Sequence, residues 1–172
     1  HVFADSTNGV HAIDLHVKAD SFTVITGRIG AGKTTLLRTL LGVLPVQQGQ
    51  ILWNGVAVED PKSFFVPPRC AYTPQVPRLF SEALRDNILL GVPVDATEIE
   101  EAVRLGVMED DLPTLENGLD TMVGPRGVKL SGGQMQRTAA ARMFVRRAGL
   151  YIFDDLSSAL DIETENLLWD RV

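Results

Sequence analysis

Apolar and polar positions alternate along this chain in two rhythms. Phe22-Thr23-Val24-Ile25-Thr26 is a β-branched and aromatic run that stops at Gly27, the pattern of a buried strand. Comparable runs occupy residues 50–53, closed by Asn54-Gly55, residues 70–73, closed by Pro74, and residues 150–153. Helical spacing takes over in residues 33–41, which end ahead of Gly42 and Pro45, and in residues 131–147. From about Pro77 to Thr121 the strand pattern disappears. Short helical stretches at 82–90, 98–105 and 109–115 alternate there with Pro and Gly, and the chain after residue 156 reads as helix to Val172. This order predicts one α/β domain over residues 1–172. Its core takes residues 1–76 and 148–172, with a helical subdomain over about 77–147 inserted between them.

Composition adds bounds to that picture. With 172 residues, 45% of them hydrophobic and 22% charged, the chain suits one globular domain with a real core. A formal net charge of -6 disfavours a nucleic-acid surface, which needs clustered Lys and Arg, while leaving room for a single phosphate site. Cys70 is the one cysteine, so no internal disulfide forms and a reducing compartment suits the chain. No apolar run approaches the ~18 residues that would span a bilayer, and the chain is expected to be soluble by itself. It opens on His1 rather than Met, as a piece of something longer would. Residues 95–120 hold nine carboxylates against one cation, Arg104, and read as a solvated helical face.

Chemistry enters at Gly27-Arg28-Ile29-Gly30-Ala31-Gly32-Lys33-Thr34, which fits G-x-x-x-x-G-K-[ST] between a strand and a helix. Glycines let consecutive N–H groups turn inward around phosphate oxygens, and the helix start adds partial positive charge. Lys33 would reach the β and γ phosphates, the Thr34 hydroxyl would ligate Mg²⁺, and Thr35 would donate to the α phosphate. A dinucleotide fingerprint fails, because Thr35 stands where a small residue is required. Leu150-Tyr151-Ile152-Phe153 ends in Asp154 and Asp155. Beside a phosphate loop, Asp154 is the candidate for holding Mg²⁺ and Asp155 for flanking the attacking water.

Leu130-Ser131-Gly132-Gly133-Gln134 has the form of a helix start, with Ser131 as cap and Gln134 closing a capping box. A cap needs no pair of glycines, and each costs up to about 1 kcal/mol against Ala within a helix. Their presence implies a close approach to the backbone.

On these residues the chain resembles the ABC transporter nucleotide-binding domains, whose signature is LSGGQ. The resemblance runs nearly end to end, with a Walker A loop at 27–34 and a Q-loop glutamine at Gln75. The signature stands at 130–134, the Walker B strand ends at Asp154, and Ser158-Ala159-Leu160-Asp161 matches the D-loop. Residues 121–127, Pro77-Arg78-Leu79-Phe80 and Arg85-Asp86-Asn87-Ile88 look exporter-like. The resemblance implies a P-loop NTPase fold, with a mainly parallel sheet, flanking helices and an antiparallel N-terminal β part, here cut short at the C-terminus. It also implies ATP and Mg²⁺ as cofactors and ATP hydrolysis coupled to transport. The metal set would be Thr34, Gln75 and Asp154, with Asp155 and Gln75 as catalytic residues. Residues 27–35 together with Gln75 and Asp154 would bind the nucleotide. Two such domains would pair head to tail, identical or not, so that Ser131, Gly132, Gly133 and Gln134 cover the partner's nucleotide. The helical segment would dock on coupling helices of a transmembrane domain at the cytoplasmic face of a membrane.

Three departures from the family pattern stand out. Its catalytic glutamate is replaced by Asp155, one methylene shorter. Two readings follow: a degenerate site that binds ATP but turns it over slowly, as in heterodimeric exporters, or an aspartate that works as the base. The adenine-stacking aromatic falls in Phe3-Ala4-Asp5, with Asp5 at its position. The switch histidine lies on a strand beyond the D-loop, and His1, His11 and His16 all precede the Walker A loop, so hydrolysis by this chain alone is expected to be weak. Coiled-coil DNA-organising ATPases share the cradle and signature but separate Gln75 from Ser131 by a far longer segment. Soluble ribosome-associated relatives lack the 121–127 pattern, and no N-K-x-D guanine motif occurs.

Overall fold

The computed structural model describes residues 1–4 and 8–172, with the backbone alone at residue 157. The described chain falls into two compact units, His1–Val66 and Pro67–Val172.

In the first unit, α1 (Lys33–Leu40) opens directly from the glycine-rich loop and ends one residue short of the sequence expectation. Strands β1 (Leu52–Trp53) and β2 (Val56–Ala57) pair antiparallel around Asn54-Gly55. Positive φ at both turn residues, 50° and 80°, is the twist that a two-residue hairpin requires. A one-turn helix, α2 (Pro61–Phe64), starts on Asp60, whose carboxylate accepts from Ser63 N–H. Trp53, Phe64 and Phe65 pack edge to face with centroids 5.2–5.9 Å apart.

The run 22–26 forms no strand among the described residues, and Phe22 and Val24 are 67% and 65% exposed. Apolar alternation marks a segment able to pair; a strand exists only where a neighbour supplies the ladder, and no described strand runs beside this one.

The second unit is built on β3 (Cys70–Thr73) and β4 (Leu150–Phe153), a parallel pair in the register Cys70↔Leu150 to Thr73↔Phe153. Both occupy the residues their sequence pattern indicated. Between them run α3 (Leu84–Leu89), α4 (Ala96–Leu105) and α5 (Gly132–Phe144), and α6 (Ile162–Asp170) follows β4. Short 3₁₀ turns lie at Leu112–Thr114, Gly118–Asp120 and Leu156–Ala159. The helix expected over 109–115 is thus reduced to one turn. Pro113 contributes no N–H to a longer ladder, and Asp111 is drawn toward α5.

One hydrophobic core serves the whole unit. Leu84 and Ile88 from α3, Ile99 and Val103 from α4, Ala140 and Phe144 from α5, and Leu168 from α6 are all buried in it. Phe144 packs on Tyr151 at 5.5 Å, and Phe153 packs on Trp169 at 5.3 Å, so aromatic side chains of β4 bridge α5 and α6. Arg142 on α5 and Arg146 just past its end close the end of α3: Arg142 donates to Asn87 O at 2.8 Å, and Arg146 reaches Leu89 O at 3.4 Å. Cations on the last carbonyls of a helix satisfy stranded acceptors and oppose its dipole. Burial and then the charge of Arg146 pull the Arg142 guanidinium below its ordinary pKa.

Candidate functional site

The residues singled out in the sequence fall in both units. Residues 27–35 lie in the first, and Gln75, Ser131, Gly132, Gly133, Gln134, Asp154 and Asp155 lie in the second.

The loop before α1 owes its course to Gly30 and Gly32, whose φ values of 79° and 92° suit residues without a Cβ. Ala31 N–H donates to Arg28 O at 3.1 Å and closes the bend. Lys33 turns back into it: Nζ donates to Gly27 O at 2.8 Å and Arg28 O at 3.2 Å. Gly32, the N-cap, has no side chain to offer the first turn of α1. An ammonium held by loop carbonyls beside an uncapped helix start concentrates positive charge in a backbone concavity, which fits the anion that the motif indicates. Ile29 stands fully exposed at the loop tip.

In the second unit, β4 carries its ladder one residue past the strand: Asp154 N–H donates to Thr73 O at 3.0 Å. Asp154 is buried, and its carboxylate accepts from the Tyr72 hydroxyl at 3.3 Å. The chain then turns left-handed at Asp155, with φ 59°, a conformation aspartate adopts more readily than most residues. Asp155 is exposed, and its Oδ2 accepts from Gln75 Nε2 at 2.9 Å. The Gln75 carbonyl in turn accepts from Gln136 Nε2 at 2.9 Å. Gln75 is therefore held by its side chain at the end of β4 and by its backbone to α5. Among the described residues no cluster of three or more His, Cys, Asp or Glu could hold a metal. Within the second unit, the Gln75 amide and the buried Asp154 carboxylate offer hard oxygens of the kind that Mg²⁺ accepts alongside phosphate oxygens.

The signature turn matches the capping expectation in both directions. Ser131 Oγ accepts from Gln134 N–H at 3.2 Å, and Gln134 Oε1 accepts from Ser131 N–H at 3.0 Å. Ser131 and Gly132 are exposed. At Gly133 the close approach inferred from the sequence comes in part from this chain itself, since an added Cβ would lie 3.1 Å from Ala159 O in the D-loop. Beneath the turn, Asp111 takes a bidentate ion pair from Arg137.

Tyr72, Asp111, Gln136 and Arg137 were not among the sequence candidates. A signal existed for one of them: Arg137 follows Gln134 by three residues on the same helix face, and a half-buried arginine requires a carboxylate from elsewhere. Phe3 packs edge-on against His1 at 5.0 Å, while Asp5 lies outside the described residues. Among the described residues, no helix is long and apolar enough to cross a membrane.

Comparison with known proteins bears on the family of the chain. The family model described as ABC transporter matches residues 10–158. The chain is 37% identical over 164 residues to the probable multidrug resistance ABC transporter ATP-binding/permease protein YheI of Bacillus subtilis (strain 168), covering 94% of this chain and 28% of that one. It is 36% identical over 160 residues to the multidrug resistance protein pgp-1 of Caenorhabditis elegans, covering 92% of this chain and 12% of that one. Among solved structures it resembles a bacterial Atm1-family ABC exporter with ATP bound, with TM-score 0.75 and 34% identity over 83% of this chain and 25% of that one. The chain thus spans under a third of the length of each of these relatives.

Proposed function

Because the chain belongs to the ABC transporter ATP-binding family, we propose that it takes up Mg-ATP on residues 27–35 and, paired head to tail with a second such domain, powers movement of a substrate across a membrane. The observation that carries this reading is Lys33, whose ammonium lies within hydrogen-bond reach of two carbonyls of its own loop, beside an uncapped helix start.

When bound, the nucleotide supplies the phosphoanhydride whose cleavage drives the cycle. Backbone N–H groups of Gly27, Arg28, Ile29, Gly30 and Gly32 would turn toward its phosphates, Ala31 would join them by giving up its bond to Arg28 O, and Lys33 would exchange the two loop carbonyls for phosphate oxygens. Thr34, Gln75 and Asp154 would hold Mg²⁺, and Thr35 would donate to the α phosphate. With Gln75 so engaged, Asp155 would lose that hydrogen bond and its carboxylate would be free to accept a proton from an attacking water. An aspartate reaches less far than the family's glutamate, so turnover at this loop is slow. The chain then contributes chiefly by binding ATP and by presenting Ser131, Gly132, Gly133 and Gln134 to the partner's nucleotide, the arrangement of a heterodimer. The helical segment 77–147 meets the coupling helices of a transmembrane domain at the cytoplasmic face.

Titration of the chain with a fluorescent ATP analogue in the presence of Mg²⁺ tests the core of this reading. Saturable binding is expected, and Lys33→Ala is expected to weaken it at least about tenfold, the scale of one lost charge-assisted contact. Equal affinity in the two proteins would show that the loop is not the nucleotide site.

A further inference from the structure

Asp111 belongs to the acid-rich stretch between α4 and α5, yet it is not a solvated surface charge. Its side chain is 13% exposed and that of its partner Arg137 is 15% exposed. Arg137 Nε donates to Asp111 Oδ2 at 2.8 Å and Arg137 Nη2 to Oδ1 at 2.8 Å, a two-point contact that fixes both groups in one plane. Gln134 Nε2 donates to the same Oδ1 at 3.3 Å. The other end of that amide, Gln134 Oε1, accepts from Ser131 N–H at 3.0 Å.

The Gln134 side chain is thus strung between the carboxylate and the signature backbone. Asp111 attracts its NH₂ end, which leaves the oxygen facing Ser131. Arg137, held flat by the same carboxylate, passes Gly133 with Nη1 3.4 Å from where a Cβ would stand. One side chain outside the motif therefore orients the two side chains that frame the motif's first turn.

We propose that Asp111 is the positioning residue of the signature: it fixes Gln134 and Arg137 so that the exposed turn at Ser131 and Gly132 meets the partner's nucleotide in one geometry. This rests on the reading that residues 131–134 act on a second copy's nucleotide. Asp111→Asn keeps the shape, but an amide offers Arg137 only one oxygen and turns a donor toward groups that are themselves donors. Asp111 touches no nucleotide and lies outside the phosphate loop, so the variant's own nucleotide binding stays as in the wild type.

The test measures dimer formation of the 172-residue chain by sedimentation with Mg²⁺ and a slowly hydrolysed ATP analogue. Wild type dimerises on adding nucleotide. Asp111→Asn binds the fluorescent analogue normally but dimerises about tenfold or more weakly. Asp111→Glu, which retains the charge, keeps more of the dimer than Asp111→Asn does. Lys33→Ala does not dimerise either, for want of nucleotide. An equimolar mixture of Asp111→Asn and Lys33→Ala recovers dimer, because one of its two composite sites joins an intact phosphate loop to an intact signature. A loss caused by general unfolding, or by damage to the variant's own loop, is not recovered by mixing. If Asp111→Asn does not fold, the double variant Asp111→Asn with Arg137→Gln leaves no unpaired buried charge and takes its place. Wild-type dimerisation by Asp111→Asn, or a mixture that stays monomeric, overturns the proposal. A wild type that binds nucleotide and never dimerises overturns the pairing reading, and this inference with it.

Discussion

Replacing Asn87 should be among the most costly single changes in the second unit. Its side chain is fully buried on α3 and organises the loop ahead of that helix. Oδ1 accepts from Phe80 N–H at 2.8 Å, while Nδ2 donates toward Phe80 O at 3.1 Å, Ala83 O at 3.1 Å and Glu82 O at 3.3 Å. Two amide hydrogens serve three carbonyls, so about three effective hydrogen bonds are at stake, each contributing roughly 1 kcal/mol net. Asn87→Ala also leaves a small void and strands one buried donor. Water reaches the exposed Phe80 and Glu82 and recovers part of that loss. The expected cost is about 2–4 kcal/mol. Asn87→Asp separates hydrogen bonding from packing. It preserves volume and the acceptor for Phe80 N–H but points a carboxylate at three carbonyls, so at neutral pH it should cost more than Ala. Because only the protonated form can donate, its folded-state pKa is raised. Its stability is therefore greatest at acid pH and falls as pH rises through that value. Urea unfolding at 25 °C in a Trp53→Phe background, followed by the fluorescence of Trp169, reads the second unit alone. With a slope of roughly 1–3 kcal/mol per molar urea, the Ala variant's midpoint drops by about 0.7–4 M. An Ala variant within about 1 kcal/mol of wild type, or an Asp variant more stable than Ala at pH 7, would refute the reasoning.

Two further outcomes follow from the site and its core. Burial pushes the Cys70 thiol up to about 11 from 9.0, so the folded protein should resist a thiol reagent at pH 8 that labels the unfolded chain at once. The stability tied to the neutral thiol is complete below pH 9 and is lost as pH climbs toward 11. Cys70→Ala should flatten that part of the pH profile, and an unchanged slope would exclude the thiol as its source. Asp155→Glu should raise ATP turnover by about tenfold or more if reach limits the carboxylate, measured by phosphate release with saturating Mg-ATP. The left-handed φ of 59° at this position offsets part of the gain, and a rate no higher than wild type would assign the base role to the aspartate itself.

What the sequence disclosed and what it concealed divide along physical lines. The bounds of β3 and β4 were legible because each is a short apolar run with a turn residue at its edge and a partner to pair with. The Ser131–Gln134 capping box was legible because both halves lie within one turn. Phe22–Thr26 has the same local pattern as β3 and yet no ladder, since pairing is a property of the neighbour. The acid-rich stretch 95–120 is largely the solvated face that its composition indicated, with Asp95, Glu100, Glu101, Asp110, Glu116 and Asp120 exposed, but its ion pairs were hidden for a related reason. Counted within its own window it faces only Arg104, but Arg85, Arg137, Arg147 and Arg171 come from outside it to meet Asp120, Asp111, Glu98 and Glu109. Composition along the chain cannot register charges that the fold brings in from elsewhere. The Gln75–Asp155 contact is of that kind too, joining residues from the ends of two different strands.

The parallel pair β3–β4 gives the second unit an unusual freedom of length. All of α3, α4 and α5 is strung between two strands that lie side by side, so the sheet fixes only where this excursion departs and where it returns. Lengthening a closed excursion costs little entropy, about 0.6 kcal/mol for each doubling, provided the inserted residues stay on the surface. Extra residues at exposed positions of the stretch between α4 and the signature should therefore be absorbed without disturbing the strand register, while those that shift Asp111 or the buried Met108, Thr121 and Val123 should not. A library of insertions scanned across residues 106–130 should be tolerated at exposed positions such as Glu116 and Asn117 and rejected at Asp111 and around the buried Met108, Thr121 and Val123.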